Sequence, residues 1–193
     1  MSTSEVCCIS EFFEVMDHEF PEIETSLELQ GYKVDGNNGI KKHCKFNDLK
    51  SVDYLSVHDT KGFLLVEFSD LWKQNITIQE QALRIKQSNL PKSDKQALRR
   101  ELFKAINKEL CTKFKDSLTI LQAMQVDVKN IPTEFYNERP KYIIVVAPIN
   151  EQDTLEKKQE ILRFLDILKD KVAQSIPAPL FNRVSIIPLQ SFV

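Results

Sequence analysis

The chain has 193 residues, of which 42% are hydrophobic and 28% are charged, with four glycines and eight prolines. These values are typical of one globular domain over residues 1–193 and argue against collagenous, disordered and membrane-spanning classes. The net charge of −2 hides an acidic segment over residues 1–35 and a basic one over residues 84–115, where ten Lys or Arg stand against three acidic residues.

The first forty-six residues predict helices followed by a strand. Ser10 is a suitable N-cap for a first helix, and Pro21 for the first position of a second one that Gly31 ends. Residues 36–39, Gly-Asn-Asn-Gly, predict a turn, and residues 40–46 a polar edge strand. The first helix would bury Phe12, Phe13, Met16 and Phe20.

Residues 51–70 give the clearest β signal. Two apolar arms, about 52–57 and 63–68, flank His-Asp-Thr-Lys-Gly and predict a hairpin. The second arm is almost continuously apolar, as in a strand covered on both faces, so an acidic side chain near its end, Glu67, needs an explanation.

The rest of the chain alternates helix and strand. Apolar steps of three or four over residues 93–125 predict a long helix, or two in line. Residues 141–147 predict a buried central strand, the next segment a helix with Ile161, Leu165, Leu168 and Val172 inward, and residues 183–189 a last strand. The order favours an α/β fold, a central mixed sheet flanked by helices.

The cysteines are scattered, without paired CxxC spacing. We therefore expect reduced, structural thiols in a cytoplasmic protein, with neither secretion nor membrane insertion. Adjacent Cys7 and Cys8 could alternatively bind a metal or cross-link.

Two carboxylates mark the hairpin. Asp53 lies near the start of the first arm and Glu67 near the end of the second, so antiparallel pairing would bring them roughly opposite each other, with Cβ atoms about 5 Å apart. Two carboxylates and a backbone carbonyl form an oxygen site suited to Mg²⁺. The alternative is structural: Asp53 would cap the strand and Glu67 would pair with Lys61 or a helix lysine.

This pattern resembles the restriction-endonuclease-like, PD-(D/E)XK, nuclease superfamily, in which an Asp on one hairpin strand is followed by Glu-x-Lys on the next. By that resemblance Asp53, Glu67 and the Phe68 carbonyl would bind Mg²⁺ or Mn²⁺, and an initial helix would supply a further acid, Glu24 or Glu28. The chain departs from the pattern because no Pro precedes Asp53 and Ser69 replaces the Lys. Lys73 is the candidate for the displaced amine, if residues 70–75 are helical.

Two functions follow. The first is a nuclease in which Asp53, Glu67 and Lys73 are catalytic and basic residues of the 84–115 segment grip DNA or RNA phosphates. The second is an inactive binding or scaffolding subunit of a larger nucleic-acid-handling assembly, with a protein partner or a second copy of the chain. The phosphate-gripping residues would be Arg99, Arg100, Lys104 and Lys108. Alternatively, the basic segment is a helix face that is exposed to solvent and binds no nucleic acid.

Overall fold

A mixed six-stranded sheet forms the centre of the fold, which is α/β as expected. The structure is a computed structural model that describes residues 6–18, 20, 23–24 and 26–192. The strands are β1 (Cys7–Cys8), β2 (Phe13–Val15), β3 (Gln30–Lys33), β4 (Tyr54–His58), β5 (Gly62–Phe68), β6 (Val128–Lys129), β7 (Lys141–Val146) and β8 (Arg183–Pro188).

The sheet has the order β2-β3-β4-β5-β7-β8. Its first four strands pair antiparallel, whereas β5, β7 and β8 pair parallel. Strands β1 and β6 form a separate parallel pair. Parallel neighbours need a crossover connection, and the long helices supply it.

Five α-helices occur in the described part of the chain: α1 (Ile40–His43), α2 (Leu71–Gln87), α3 (Lys92–Ala123), α4 (Glu134–Asn137) and α5 (Leu155–Ser175). The predicted helix over residues 93–125 is confirmed as the single helix α3. The α2 and α3 helices connect β5 to β7 and pack against each other.

The β4–β5 hairpin has a short turn that fixes its register. His58 pairs with Gly62 across a three-residue loop, and Gly62 has φ +70°. A glycine in this left-handed region is the usual end of a three-residue hairpin loop. The pairing continues to Tyr54 opposite Val66. Because a slip of one residue would turn every side chain to the other face, this turn determines which side chains face the helices.

Different segments of the chain cover the two faces of the sheet. Leu55, Leu65 and Ile144 pack in one buried cluster with Phe114 of α3 and Val172 of α5. The opposite face is covered by irregular segments from both ends of the described chain. It buries Tyr54, Val66 and Val145 against Phe20, Leu27, Leu189 and Phe192.

The prediction of a first helix from Ser10 is wrong. A 3₁₀ turn over Ile9–Phe12 leads directly into β2. Phe13 lies opposite Tyr32 of β3, with ring centroids 4.9 Å apart, so cross-strand pairing replaces the helical contacts. Pro21, the predicted start of the second helix, lies outside the described residues. The described residues 26–29 are irregular and Gly31, the predicted end, lies in β3, so this part of the helix prediction is wrong.

The predicted edge strand over residues 40–46 is also wrong, because this segment begins with the single-turn helix α1. Ile40 is fully buried, and the Lys41 side chain forms an ion pair with Asp35 that closes the preceding turn. Lys41, Lys42 and His43 follow Ile40, a polar run with no apolar alternation to stabilise a strand.

The thiols of Cys7, Cys8, Cys44 and Cys111 are all free. Within the described ranges, no helix combines the length and the apolar character needed to cross a bilayer.

Candidate functional site

The hairpin brings Asp53 and Glu67 to the same end of the sheet. The Asp53 backbone N–H donates to the Val66 carbonyl at 3.0 Å, one step beyond the Tyr54–Val66 pair. This bond is offset by one residue from that pair, so the regular ladder ends at Tyr54 and Asp53 lies directly before β4. Because side chains alternate along a strand, Glu67 lies on the face of Leu65, which α3 covers. Asp53 is close enough for its charge to act on both Glu67 and Lys113.

Glu67 is a buried carboxylate, only 1% exposed. Burial, and then the charge of nearby Asp53, raises its pKa to about 8 against the opposing effect of Lys113. One oxygen, Oε1, accepts a hydrogen bond from Lys113 Nζ at 2.6 Å. The other, Oε2, has no hydrogen-bond partner among the described residues. A buried carboxylate with one unpartnered oxygen is a costly arrangement that marks a candidate site.

Lys113 is the amine of this site. It lies on α3, and its side chain is 20% exposed. Burial acts to lower its pKa, but the charge and hydrogen bond of Glu67 outweigh burial, so the pKa is raised. The amine therefore stays an ammonium at neutral pH. In this state it can donate hydrogen bonds and neutralise charge, but it cannot accept a proton.

The spacing of apolar residues along α3 could have indicated that Lys113 faces the sheet. It lies between Leu110 and Phe114, which are both buried on α3, and four residues before buried Ser117. A lysine at such a position points toward the sheet, unless its stem merely covers apolar surface while the amine reaches water. Only the fold shows which strand it meets.

Phe68 joins the two carboxylates through its backbone. Its N–H donates to Asp53 Oδ2 at 2.7 Å, a short charge-assisted bond. Its ring belongs to the opposite face, where it contacts Tyr54, Phe20 and Phe192. These contacts hold the end of β5 in place. The role of the Phe68 carbonyl as a metal ligand stays a prediction.

Ser69 occupies the position at which the resembled motif has Lys. It is buried and accepts a hydrogen bond from Gln74 Nε2 at 3.0 Å. This position is therefore filled by a neutral pair, and the cation beside Glu67 comes from α3.

Lys73 is not the amine beside Glu67. Asp70 caps α2 by accepting from the Lys73 backbone N–H at 3.0 Å, and the helix directs the Lys73 side chain to an exposed position. Lys73 lines a separate cavity of about 560 Å³ with Asp153 and Lys157, whose described lining includes neither hairpin carboxylate. The prediction that Lys73 reaches back to Glu67 fails because its side chain is exposed and lines a different cavity.

No helix of the described residues supplies the further acid that the resemblance implied. Glu24 and Glu28 are exposed and lie in an irregular segment. Asp35 lines the cavity that contains Asp53 and Lys113 instead. Burial opposes its ionisation, but the hydrogen bond from Lys41 prevails and lowers the pKa of Asp35.

Two cavities meet at Lys113. One of about 300 Å³ includes Asp53, and the other, of about 210 Å³, includes Glu67; Phe68 and Lys113 line both. Their walls contain six carboxylates and two lysines, so a polyanion would be repelled unless a cation were bound. The acidic members are Asp17, Asp35, Asp53, Glu67, Asp70 and Glu109, and the basic ones are Lys33 and Lys113.

Among the described residues, no group of three or more His, Cys, Asp and Glu side chains could hold a metal ion. Any metal at Asp53 and Glu67 would therefore need backbone oxygen, water or substrate to complete its coordination, as is usual for Mg²⁺.

The predicted phosphate-gripping residues do not surround this site. Arg100, Lys104 and Lys108 are exposed at four-residue spacing and form one stripe on α3, and Lys104 pairs with Glu101 at 3.2 Å. Lys113 follows Lys108 by five residues, which is about 140° around the helix axis. The stripe therefore faces away from Glu67. Arg99 is partly buried beside it.

Comparisons of the chain with protein-family models, with curated proteins and with solved structures found no match.

Proposed function

We propose that this protein is a metal-dependent nuclease that hydrolyses DNA or RNA phosphodiesters. The observation that carries the proposal is the pairing of buried Glu67 with Lys113 at 2.6 Å, near the charge of Asp53, which directly precedes β4. Two acids and one amine are the residue types of the PD-(D/E)XK pattern, and α3 supplies the amine that Ser69 lacks.

The order of elements supports the same proposal. Antiparallel strands β3, β4 and β5 precede long helices, and β7 then pairs parallel with β5. A restriction-endonuclease-like sheet has such a meander, helix and parallel strand. The strand β2 stands where the resemblance implied an initial helix, so the proposal rests on the site and the central strands.

The residues present suit a hard divalent cation. Glu67 Oε2 is buried without a hydrogen-bond partner in the described chain, and the adjoining cavities have an excess of carboxylates. Asp53, Glu67 and the Phe68 carbonyl would hold Mg²⁺ or Mn²⁺. Such an ion, when bound, lowers the pKa of water and offsets charge on a phosphodiester.

The side chains of the chain have separate tasks in this proposal. Lys113, as an ammonium, donates hydrogen bonds that orient the attacking water or a phosphoryl oxygen and stabilises developing negative charge. Glu67 holds the Lys113 amine in place, and the Phe68 N–H holds the Asp53 carboxylate at 2.7 Å. Because Lys113 remains protonated, it is not the base that removes the proton of the water.

Metal binding and cleavage test the proposal together. Titration with MgCl₂ or MnCl₂ in a calorimeter should show binding to the wild type that Asp53→Asn and Glu67→Gln abolish. Cleavage of end-labelled DNA and RNA oligonucleotides should require the same residues. Asp59→Asn, in the exposed turn of the same hairpin, is the matched control. A wild type that neither binds either ion nor cleaves any of these substrates would overturn the proposal.

An inactive binding subunit is the second candidate, favoured by exposed apolar side chains around the α2–α3 connection. Leu83, Leu90, Leu98 and Phe103 are all exposed there. Clusters of this kind mark protein–protein surfaces. Light scattering after size exclusion should then give a mass above 22.4 kDa that Leu83→Asp reduces. A mass of one chain at every concentration would exclude the homo-oligomer.

A further inference from the structure

The hydroxyl of Ser117 joins the two parts of the candidate site. Ser117 lies one helical turn after Lys113 on α3 and is 1% exposed. Its Oγ donates to the Lys113 carbonyl at 2.7 Å and accepts from the Val52 backbone N–H at 2.9 Å. Val52 is fully buried and directly precedes Asp53. One hydroxyl therefore contacts the residue that bears the amine and the neighbour of the residue that bears a carboxylate.

The two bonds of Ser117 reinforce each other. A hydroxyl that donates one hydrogen bond becomes a better acceptor for another, and in a buried position neither bond competes with water. The hydrogen bond from the Asp53 N–H to the Val66 carbonyl continues the connection into β5. Displacement of α3 at this point would therefore move Lys113 relative to both carboxylates.

Two other contacts, both exposed, join α3 to the segment before β4. Asp116 Oδ2 accepts from the Lys50 N–H at 3.0 Å, and Glu109 Oε1 lies 3.5 Å from Lys50 Nζ. Exposed contacts of this kind are weak because water competes for both partners. Ser117 is the buried contact among them.

We propose that Ser117 is a positioning residue that sets Lys113 against Asp53 and Glu67. The catalytic meaning of this inference rests on the proposed nuclease function, whereas the positioning itself does not. Other hydroxyls on α3 differ: those of Thr112 and Thr119 donate to carbonyls four residues earlier, at 2.8 and 3.2 Å, and in the described part of the chain these hydroxyls bond only within the helix.

The test compares Ser117→Ala with Thr119→Ala, which removes the same kind of bond within the helix but has no strand partner. In Ser117→Ala, the Val52 amide should exchange with deuterium about tenfold faster, the factor expected for loss of one ordinary hydrogen bond. Lys113 should also react several-fold faster with acetic anhydride, relative to Lys115, as measured by mass spectrometry. Thr119→Ala should change neither rate.

Cleavage kinetics give the functional readout. Ser117→Ala should lower kcat about 10- to 100-fold with KM unchanged, because small misplacement of a catalytic group has effects of that size. Ser117→Thr keeps the hydroxyl and should restore kcat. If Ser117→Ala does not fold, Ser117→Cys, with a weaker donor of similar size, should show the same changes to a smaller degree.

The outcomes separate this inference from the proposed function. Faster Val52 exchange with unchanged Lys113 labelling and unchanged kcat would make Ser117 a purely structural residue and overturn the inference. If the wild type does not cleave, the nuclease proposal fails, but the exchange and labelling rates still decide whether Ser117 positions Lys113.

Discussion

Lys113 Nζ lies 2.6 Å from Glu67 Oε1, although the two residues are 46 positions apart in the chain. The contact gives a buried carboxylate its cation and joins α3 to the end of β5. Removal of one partner from such a pair leaves an uncompensated buried charge, which is strongly destabilising. Thermal unfolding of each variant of this pair is therefore measured beside its activity.

Replacement of the Lys113 amine should abolish most activity. Lys113→Met keeps the apolar stem and should lower metal-dependent cleavage by about 10²- to 10⁴-fold, the usual contribution of a positioned polar catalyst. Lys115→Met, at an exposed position on the same helix, and Lys73→Met should cleave like the wild type. A greater loss in Lys73→Met than in Lys113→Met would return the catalytic role to Lys73.

The position of the amine should be exchangeable. If Lys113 replaces the lysine of the Glu-x-Lys pattern, the double variant Lys113→Met, Ser69→Lys should recover part of the cleavage that Lys113→Met loses. Thermal unfolding should accompany the assay, because Ser69 is buried and bonded to Gln74. A folded double variant as inactive as Lys113→Met would show that the two positions are not equivalent.

Metal binding should release a proton near neutral pH. Burial raises the pKa of Glu67 to about 8, so most of the population is protonated at pH 7, whereas a bound cation favours the carboxylate. Calorimetric titration with MgCl₂ in buffers of different ionisation enthalpy should therefore show a buffer-dependent heat that becomes small above about pH 9. An equal heat in all buffers at pH 7 would contradict an acid that must ionise to bind.

Stability should fall as pH rises through the same range. The ordinary pKa of Glu67 is 4.5 and its folded-state pKa is about 8, so the folded state retains a proton that the unfolded state has lost. The free energy of unfolding should then decrease between about pH 4.5 and pH 8, by at most about 1.4 kcal/mol per unit. Urea denaturation should show this slope in the wild type and a smaller one in Glu67→Gln. Parallel curves would contradict the raised pKa.

Nucleic-acid affinity should depend on the exposed stripe of α3 without affecting the chemical step. Charge reversal of Arg100, Lys104 and Lys108 to Glu should weaken binding and reduce its salt dependence. Because the stripe faces away from Glu67, kcat at saturating substrate should be unchanged. Fluorescence anisotropy at several salt concentrations measures the affinity.

The control for the stripe is reversal of Arg163 and Lys171, exposed basic residues on α5. Equal loss of affinity in both sets of variants would mean that general charge, rather than the α3 stripe, attracts the ligand. Unchanged affinity in the α3 variants would leave this face as a solvated surface.

The local parts of the fold were predictable. The β4–β5 hairpin follows from two apolar arms and a glycine-ended turn, and α3 from apolar steps of three or four residues, so short windows contain the information. The strand β2 was mistaken for a helix because Phe12, Phe13 and Met16 also fit helical spacing. Its β conformation depends on pairing with β3, some 15 residues later.

The candidate site was predictable only in part. Asp53 directly precedes one strand of the hairpin and Glu67 lies near the end of the other, so the local sequence indicated that they would lie near each other. Their direct opposition stays a prediction, because the regular pairing ends at Tyr54 and Val66. The alternative that Glu67 pairs with a helix lysine is confirmed. Spacing could not identify this lysine as Lys113, because no local pattern determines which strand a helix face will meet. Its place beside buried Leu110 and Phe114 was the one available signal.

The two acids and the amine of the candidate site lie on separate elements, so movement of one element could control the proposed activity. Glu67 lies in a hairpin closed by three residues and Asp53 directly precedes it, whereas Lys113 lies on a helix of 32 residues. Partial detachment of α3 would leave the acids together and withdraw the ammonium. Under the proposed function, the protein would then bind a metal without cleaving, and metal binding and cleavage would be two separable states. A ligand that holds α3 away from the sheet would be an inhibitor without touching either acid.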